Sequence, residues 1–230
     1  MSQPELLEPR EAYALWAGNY PPHAHNPVMQ AEQRAMLALM PPDLRGQRVL
    51  DAGCGSGRYV LHALQRGATH VTGVDLSPEM LGRAARELAA HEDRIELMPG
   101  DIASLPLPDA SVDLTICALA VGHLRELELE LSELRRVTRP GGVVLCSDVH
   151  PTGHALGWMR DFKSAGGHYA VRHTPHSCDG WRAACARAGL EIERIEEPML
   201  DLADIPHGAR FDRKALEVPV ALVFRLRRSP

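Results

Sequence analysis

The sequence predicts an α/β fold built on a mostly parallel sheet with helices on both faces. Three observations carry the prediction. From Gly46 onward, short apolar runs alternate with amphipathic stretches; a bend with three glycines separates the first run from the first such stretch; and an acid closes or follows several of the runs. Parallel neighbours need a crossover between them, which the amphipathic stretches supply.

Taken in order, residues 1–45 carry a helix around Glu11 to Gly18 and another from Pro27 to Met40, joined by the turn-rich NYPPHAHNP. Val49-Leu50 opens the first strand. Arg58 to Gln65 reads as a helix ended by Gly67, and His70 to Asp75 as the second strand. Ser77-Pro78-Glu79 offers an N-cap, a proline at the first helical position and an acid in the first turn, all ahead of an Ala-rich helix. Arg94 to Met98 and Val112 to Leu119 are the third and fourth strands.

The segment Glu126 to Leu131 alternates as a strand would. However, Leu127, Leu131, Leu134 and Thr138 share one helical face, and Arg135, Arg136 and Arg139 sit where the helix dipole favours cations, so the segment is assigned as helix. Pro140-Gly141-Gly142 is expected to break it before a fifth strand, Val143 to Asp148. Residues 149–176 hold five histidines and four glycines and read as a loop-rich insertion. A helix from Cys178 to Ala188 and strands at Leu190 to Ile195 and Val218 to Leu226 bring the sheet to seven strands.

A net charge of −5, 45% apolar and 24% charged residues describe a soluble chain with no basic run fit for a nucleic-acid backbone or an anionic membrane. The one basic cluster is Arg225, Arg227 and Arg228. The five cysteines form no CxxC pair, so neither a disulfide framework nor a zinc ribbon is expected, and the cytoplasm fits best. The N-terminal stretch is acidic and lacks the apolar core of a signal peptide.

Chemistry concentrates at VLDAGCGSGR, where Gly53, Gly55 and Gly57 alternate between strand and helix. Such a bend needs positive φ or the close approach of another molecule. In a parallel sheet it lies at the carboxyl end, where ligands bind. A dinucleotide site would carry GxGxxG, but Arg58 stands at the third glycine's position. Asp75, closing the second strand, suits a pair of ribose hydroxyls, and Asp101, just after the third, suits an adenine amine. Together they read as an adenosine clamp without a pyrophosphate pocket.

Four ordered blocks, VLDAGCGSGR, GVDLSPEML, GDIASLPLPDASVDLTICALAVGHL and ELRRVTRPGGVVLCSD, resemble the successive motifs of class I S-adenosylmethionine-dependent methyltransferases. They look most like the type 11 group that includes quinone-ring and malonyl-carrier methyltransferases. The resemblance covers residues 47–150 and implies a Rossmann-like fold binding S-adenosylmethionine, with S-adenosylhomocysteine as product. It places Gly53, Gly55 and Gly57 against the methionine moiety and lets Asp51 order that loop and reach the cofactor amine through water. Asp75 would hold the ribose, Leu76 and Met80 would flank the adenine with Asp101 and Ile102 at its edge, and the Ala118 backbone would face the amine. Val112 departs from the family, which usually has an aromatic residue there.

The chain as a whole reads as a single domain: a helical cap (1–45), a cofactor-binding core (46–148), an acceptor lid (149–176), and a C-terminal helix with closing strands (177–230). Tyr13 and Tyr20 close over the methionine side on one reading and form, with Trp16, an apolar helix face on another. His25 is a candidate for the cofactor carboxylate, though a solvated loop position suits it as well. His123 and His150 are the candidate bases, needed only if the acceptor must lose a proton. The His23/His25 and His150/His154 spacings lack acidic or thiolate partners at fixed offsets, so no metal is expected. The expected partner is a small-molecule acceptor at oxygen, nitrogen or carbon, with neither nucleic acid nor membrane. Two rival functions stay open at this point, a non-catalytic adenosine-cofactor binder and an NAD(P)-dependent reductase. The latter would call for a Tyr-xxx-Lys pair that neither Lys163 nor Lys214 completes.

Overall fold

The computed structural model describes residues 3–123, 126–164, 166–205 and 213–229. From the N-terminal side come β1 (Glu5–Leu7), α1 (Pro9–Trp16) and α2 (Pro27–Leu39). Strands and helices then alternate as β2 (Arg48–Ala52), α3 (Arg58–Gln65), β3 (His70–Asp75), α4 (Pro78–Glu87), β4 (Ile95–Pro99), β5 (Val112–Ala118), α5 (Leu127–Val137) and β6 (Thr138–Val149). Next are α6 (Pro151–Ala155), β7 (Asp161–Ser164), β8 (Gly167–Val171), α7 (Cys178–Ala188), β9 (Leu190–Glu196) and β10 (Ala221–Arg228).

Seven strands make one sheet in the order β4-β3-β2-β5-β6-β10-β9. It is parallel from β4 through β6, and β10 runs antiparallel to both of its neighbours. The direction of winding reverses between β2 and β5, which opens a crevice at their carboxyl ends. Strand alternation sorts the core into two layers. Leu50, Val74, Cys117, Cys146 and Phe224 face α5 and α7 on one side, while Val49, Val71, Ile116, Leu145 and Val223 face α2 and α3 on the other. Trp181 of α7 stacks on Phe224 at 4.5 Å, and both are fully buried. Val112, the departure from the family pattern, is buried in the first layer.

The helix caps follow the local sequence. The Asn26 side chain accepts from Met29 N at 2.9 Å, Ser77 from Met80 N at 3.2 Å, and Ser177 from Gly180 N at 3.0 Å. The ambiguous Glu126 region is helical, with Leu127, Leu131 and Leu134 buried on one face.

Two expectations are corrected. Pro140-Gly141-Gly142 does not interrupt the chain between helix and strand, because β6 begins at Thr138. Val112 faces Thr138 while Leu114 faces Val143, so residues 139–142 loop out as a bulge within a continuous strand. The region 149–176 is not a bare loop either. Its β7 and β8 form an antiparallel hairpin, and β1 adds to β8 in parallel to complete a three-stranded sheet. A hairpin alone is marginal in water, and here the N-terminus supplies its third strand. Trp16 of α1 stacks on Phe162 of β7 at 4.5 Å, so the N-terminal helix and the hairpin share one apolar cluster.

The N-terminal region is also fastened to the main sheet. Glu32 of α2, fully buried, accepts from Arg58 Nη2 at 3.1 Å, Tyr59 Oη at 2.8 Å and Ser147 Oγ at 2.6 Å. One carboxylate thereby joins α2, the first turn of α3 and the end of β6. Removing one partner of a buried ion pair strands the other without solvation. Glu32→Ala is therefore expected to cost about 3–5 kcal/mol in urea unfolding, against about 1–2 kcal/mol for Ser147→Ala, which removes one neutral donor.

Candidate active site

The crevice at the strand tips holds a cavity of about 320 Å³. Its floor is the bend between β2 and α3, which is clasped to the end of β3. Gly53 N and Cys54 N both donate to the Val74 carbonyl, at 2.8 and 2.9 Å, and Gly55 N donates to Asp75 Oδ2 at 2.8 Å. Gly53 has φ 75°, and a Cβ there would lie 2.7 Å from the Ala120 Cβ, so no side chain fits between the bend and the tip of β5. Gly57 is required for another reason. It sits at the N-cap of α3 with φ 85°, a Cβ would lie 2.7 Å from Leu88 Cδ1, and it does not line the cavity.

Two acids stand behind the bend. Asp51 is buried, its Oδ2 has no hydrogen-bond partner, and burial pushes its pKa up to about 7. Asp75 also lines the cavity. Its oxygens accept from Gly55 N and, at 2.9 Å, from Ser77 N, and burial raises its pKa in spite of these bonds. Among the described residues neither acid has a cationic side chain within 4 Å. Each keeps acceptor capacity beside the cavity, which suits an ammonium near Asp51 and vicinal hydroxyls near Asp75. Met80, buried, and Leu76, exposed at 47%, line the same space with Asp101, Ile102 and Ala118. Asp101 commits Oδ1 to Ala103 N at 2.9 Å. An exposed leucine at the mouth of an apolar slot is a surface that a flat ring would cover.

The opposite wall comes from the small sheet and α1. Tyr13 and Tyr20 face the cavity, their rings 6.1 Å apart in an edge-on arrangement. Tyr13 Oη accepts a short hydrogen bond from Arg160 Nη1 and donates to His123 Nε2 at 2.9 Å. Arg160 Nη1 also lies 3.1 Å from His123 Nε2 and 3.2 Å from the Leu119 carbonyl. Leu119 holds φ 54°, a left-handed conformation costly for a branched side chain, at the turn leaving β5. Its amide is fixed by the Ser147 carbonyl at 2.9 Å and its carbonyl by Arg160.

His123, expected as a base, does line the cavity. Its Nδ1 donates to the Arg172 carbonyl at 3.2 Å, so the lone pair is on Nε2, facing Tyr13 and Arg160. Burial and the Arg160 charge lower its pKa to about 3. A proton placed there would confront a guanidinium.

The other two histidines lie outside the cavity wall. His25 packs between Trp16 and Tyr20, with ring centroids 5.9 and 5.4 Å away, and the wall at this point is formed by Pro21 and His23. His150 faces Glu197 Oε1 at 3.1 Å. Cys178 completes a trio with these two, all ligand atoms within 4.8 Å. However, Thr152 N donates to His150 Nδ1 at 3.2 Å, so the neutral ring carries its proton on Nε2 and offers the trio no lone pair. Sequence reasoning missed Arg160 and Leu119. Neither belongs to a motif, and one arginine among 25 basic residues carries no signal until the chain folds.

Residues 49–142 match the family described as the methyltransferase domain. Over 136 residues the chain is 40% identical to a malonyl-[acyl-carrier protein] O-methyltransferase of Serratia marcescens, and over 137 residues it is 44% identical to one of Erwinia billingiae. These alignments cover 59% and 60% of this chain but only 50% and 51% of the relatives, so the chain spans about half the length of the curated relatives it matches. The S-adenosylmethionine-dependent methyltransferase of Mesorhizobium loti superposes with a TM-score of 0.69 at 27% identity, covering 86% of this chain and 98% of that one. With the strand order and the glycine bend already described, these likenesses show a methyltransferase domain over residues 49–142, in a fold shared with an S-adenosylmethionine-dependent methyltransferase.

Proposed function

We propose that the protein transfers a methyl group from S-adenosylmethionine to a small-molecule acceptor. One observation carries this reading: two carboxylates at neighbouring strand tips, Asp51 and Asp75, line one cavity with acceptor capacity to spare and, among the described residues, no ion-pair partner. When bound, S-adenosylmethionine supplies an electrophilic methyl group on a sulfonium. The Asp75 carboxylate takes the ribose hydroxyls, Asp51 reaches the methionine ammonium through water while the Ala118 backbone faces it, and Leu76, Met80 and Ile102 enclose the adenine, with Asp101 at its amine. The bend at Gly53 and Gly55 lets the backbone approach where a side chain would obstruct. Tyr13 and Tyr20 cover the sulfonium side, where ring faces favour positive charge.

The chain's chemical contribution is then alignment and exclusion of water, worth roughly 7–11 kcal/mol when two reactants are held in line. The reading includes the remaining parts of the chain: residues 1–45 as a cap, 149–176 as a lid over the acceptor and 177–230 as closing structure, all within one domain. Location in the cytoplasm belongs to the same proposal; among the described residues no helix is long and apolar enough to cross a membrane. The relatives are named for a malonyl group on a carrier protein, but the family match ends at residue 142, short of the lid. Their acceptor is therefore not carried over with the cofactor half.

S-adenosylhomocysteine at a hundred times its dissociation constant should stabilise the protein by about 2.7 kcal/mol, read as a rise in melting temperature of roughly 5–10 °C. NADH should give no rise, and Asp75→Ala should abolish the effect. Release of a methylated product from labelled S-adenosylmethionine separates an enzyme from a binder. A shift with NADH instead would overturn the reading.

Asp51 gives a second test. Its pKa rises from the usual 3.8 to about 7 on folding, so its contribution to stability is full below the unfolded value and lost as pH climbs through 7. Asp51→Asn should accordingly make the ligand-free protein more stable at pH 8, on the order of a few kcal/mol. The same variant should lose S-adenosylhomocysteine affinity. In the wild type that affinity should fall as pH drops through about 7, because the ammonium then meets a neutral acid.

A further inference from the structure

Arg160 carries a charge with no ion-pair partner among the described residues. It lies between α6 and β7, half-buried in the cavity wall, and among the described residues no carboxylate comes within 4 Å of it. All its hydrogen bonds to described residues are made by Nη1, to Tyr13, His123 and the Leu119 carbonyl. Nε and Nη2, the parallel pair of a guanidinium fork, make none to the described residues. An arginine fixed at one nitrogen and open at the other two is preset for bidentate capture of a carboxylate. Burial opposes its charge, and Tyr13, Tyr20 and Asp148 favour it, with a net upward pKa, so the cation persists.

The groups around it point the same way. Tyr13, its pKa pushed up to about 12 by burial, holds its proton, and His123, at about 3, does not take one. The two side chains bonded to Arg160 thus offer no base at neutral pH, which suits an acceptor that is nucleophilic already. Phenols and amines need such help; a carboxylate does not.

Resting on the methyl-transfer reading above, we propose that Arg160 anchors the carboxylate of the acceptor and that the protein methylates a small carboxylic acid. A lone pair on the carboxylate oxygen forms the O–CH3 bond as the C–S bond breaks, and the electron pair of that bond goes to sulfur. The products are a methyl ester and S-adenosylhomocysteine, with no proton transferred. Tyr13 and His123 act as positioning residues for the guanidinium. The small sheet brings the parts together, because β1 leads into α1 with Tyr13 and β7 follows directly on Arg160, whose carbonyl accepts from Val171 N at 2.9 Å.

The cofactor's own methionine carboxylate is the competing source of the same chemistry, and the experiment separates the two. The melting temperature of the S-adenosylhomocysteine complex is measured with C3–C8 mono- and dicarboxylic acids and with amides of the same skeletons, for wild type, Arg160→Gln and Arg160→Lys. Acids, not amides, should raise it in the wild type, and Arg160→Gln should lose that response while keeping the S-adenosylhomocysteine shift. With the best acid, labelled S-adenosylmethionine should yield a methyl ester. Arg160→Gln should lower kcat/KM about 100-fold, and Arg160→Lys should raise KM with a smaller change in kcat.

Loss of the S-adenosylhomocysteine shift in a folded Arg160→Gln would assign the arginine to the cofactor and overturn the proposal. Equal response to acids and amides, or to neither, would overturn it as well. If Arg160→Gln fails to fold, the wild-type comparison of acids with amides still decides. Absence of any S-adenosylhomocysteine shift in the wild type would instead sink the cofactor reading itself.

Discussion

The site depends on one clasp, the Val74 carbonyl accepting from two successive amides of the glycine bend while Asp75 accepts from a third. These bonds tie the loop after β2 to the end of β3. They fix the distance between the backbone bend and the Asp75 carboxylate, and therefore the width of any ligand between them. A bend free to swing would lose that width, and its amides would turn to solvent. Glu32 reinforces the clasp from behind by holding Arg58 and Tyr59, the first two residues of α3.

Charge is distributed unevenly around the cavity. Among the described residues, Asp51 and Asp75 make no ion pair on the core side, and Arg160 makes none on the side formed by α1 and the small sheet. In a partly desolvated space each unpaired charge is costly. Asp51 meets that cost by rising toward neutrality, whereas Arg160, which cannot give up its proton at any ordinary pH, is held by three neutral acceptors. Their separation keeps them from pairing with each other and leaves each side complementary to a ligand of the opposite sign.

The left-handed Leu119 fits the same economy. It terminates β5 abruptly, and its turned carbonyl becomes a holder for Arg160. Strain at a strand tip is thereby converted into the placement of a cation that belongs to a distant part of the chain. Trp16 against Phe162 makes that placement robust, since α1 and β7 share one apolar cluster with Leu7 and Val171.

Much of this was legible in the residues themselves. The alternation of apolar runs gave the seven strands, Ser77-Pro78-Glu79 gave the start of α4, and the spacing of Leu127, Leu131 and Leu134 gave α5, because these features depend on neighbours within a few positions. The glycine bend and the acids at strand ends were readable for the same reason, and Asp51, Asp75, Asp101 and Tyr13 meet at one cavity. The bulge at 139–142, the pairing of β1 with β8, and the convergence of Arg160, His123 and Leu119 were decided only by tertiary structure. Pairing across more than 160 residues leaves no local trace. Likewise, whether a histidine is a base or an acceptor is fixed by the charge folded beside it, not by its own place in the chain.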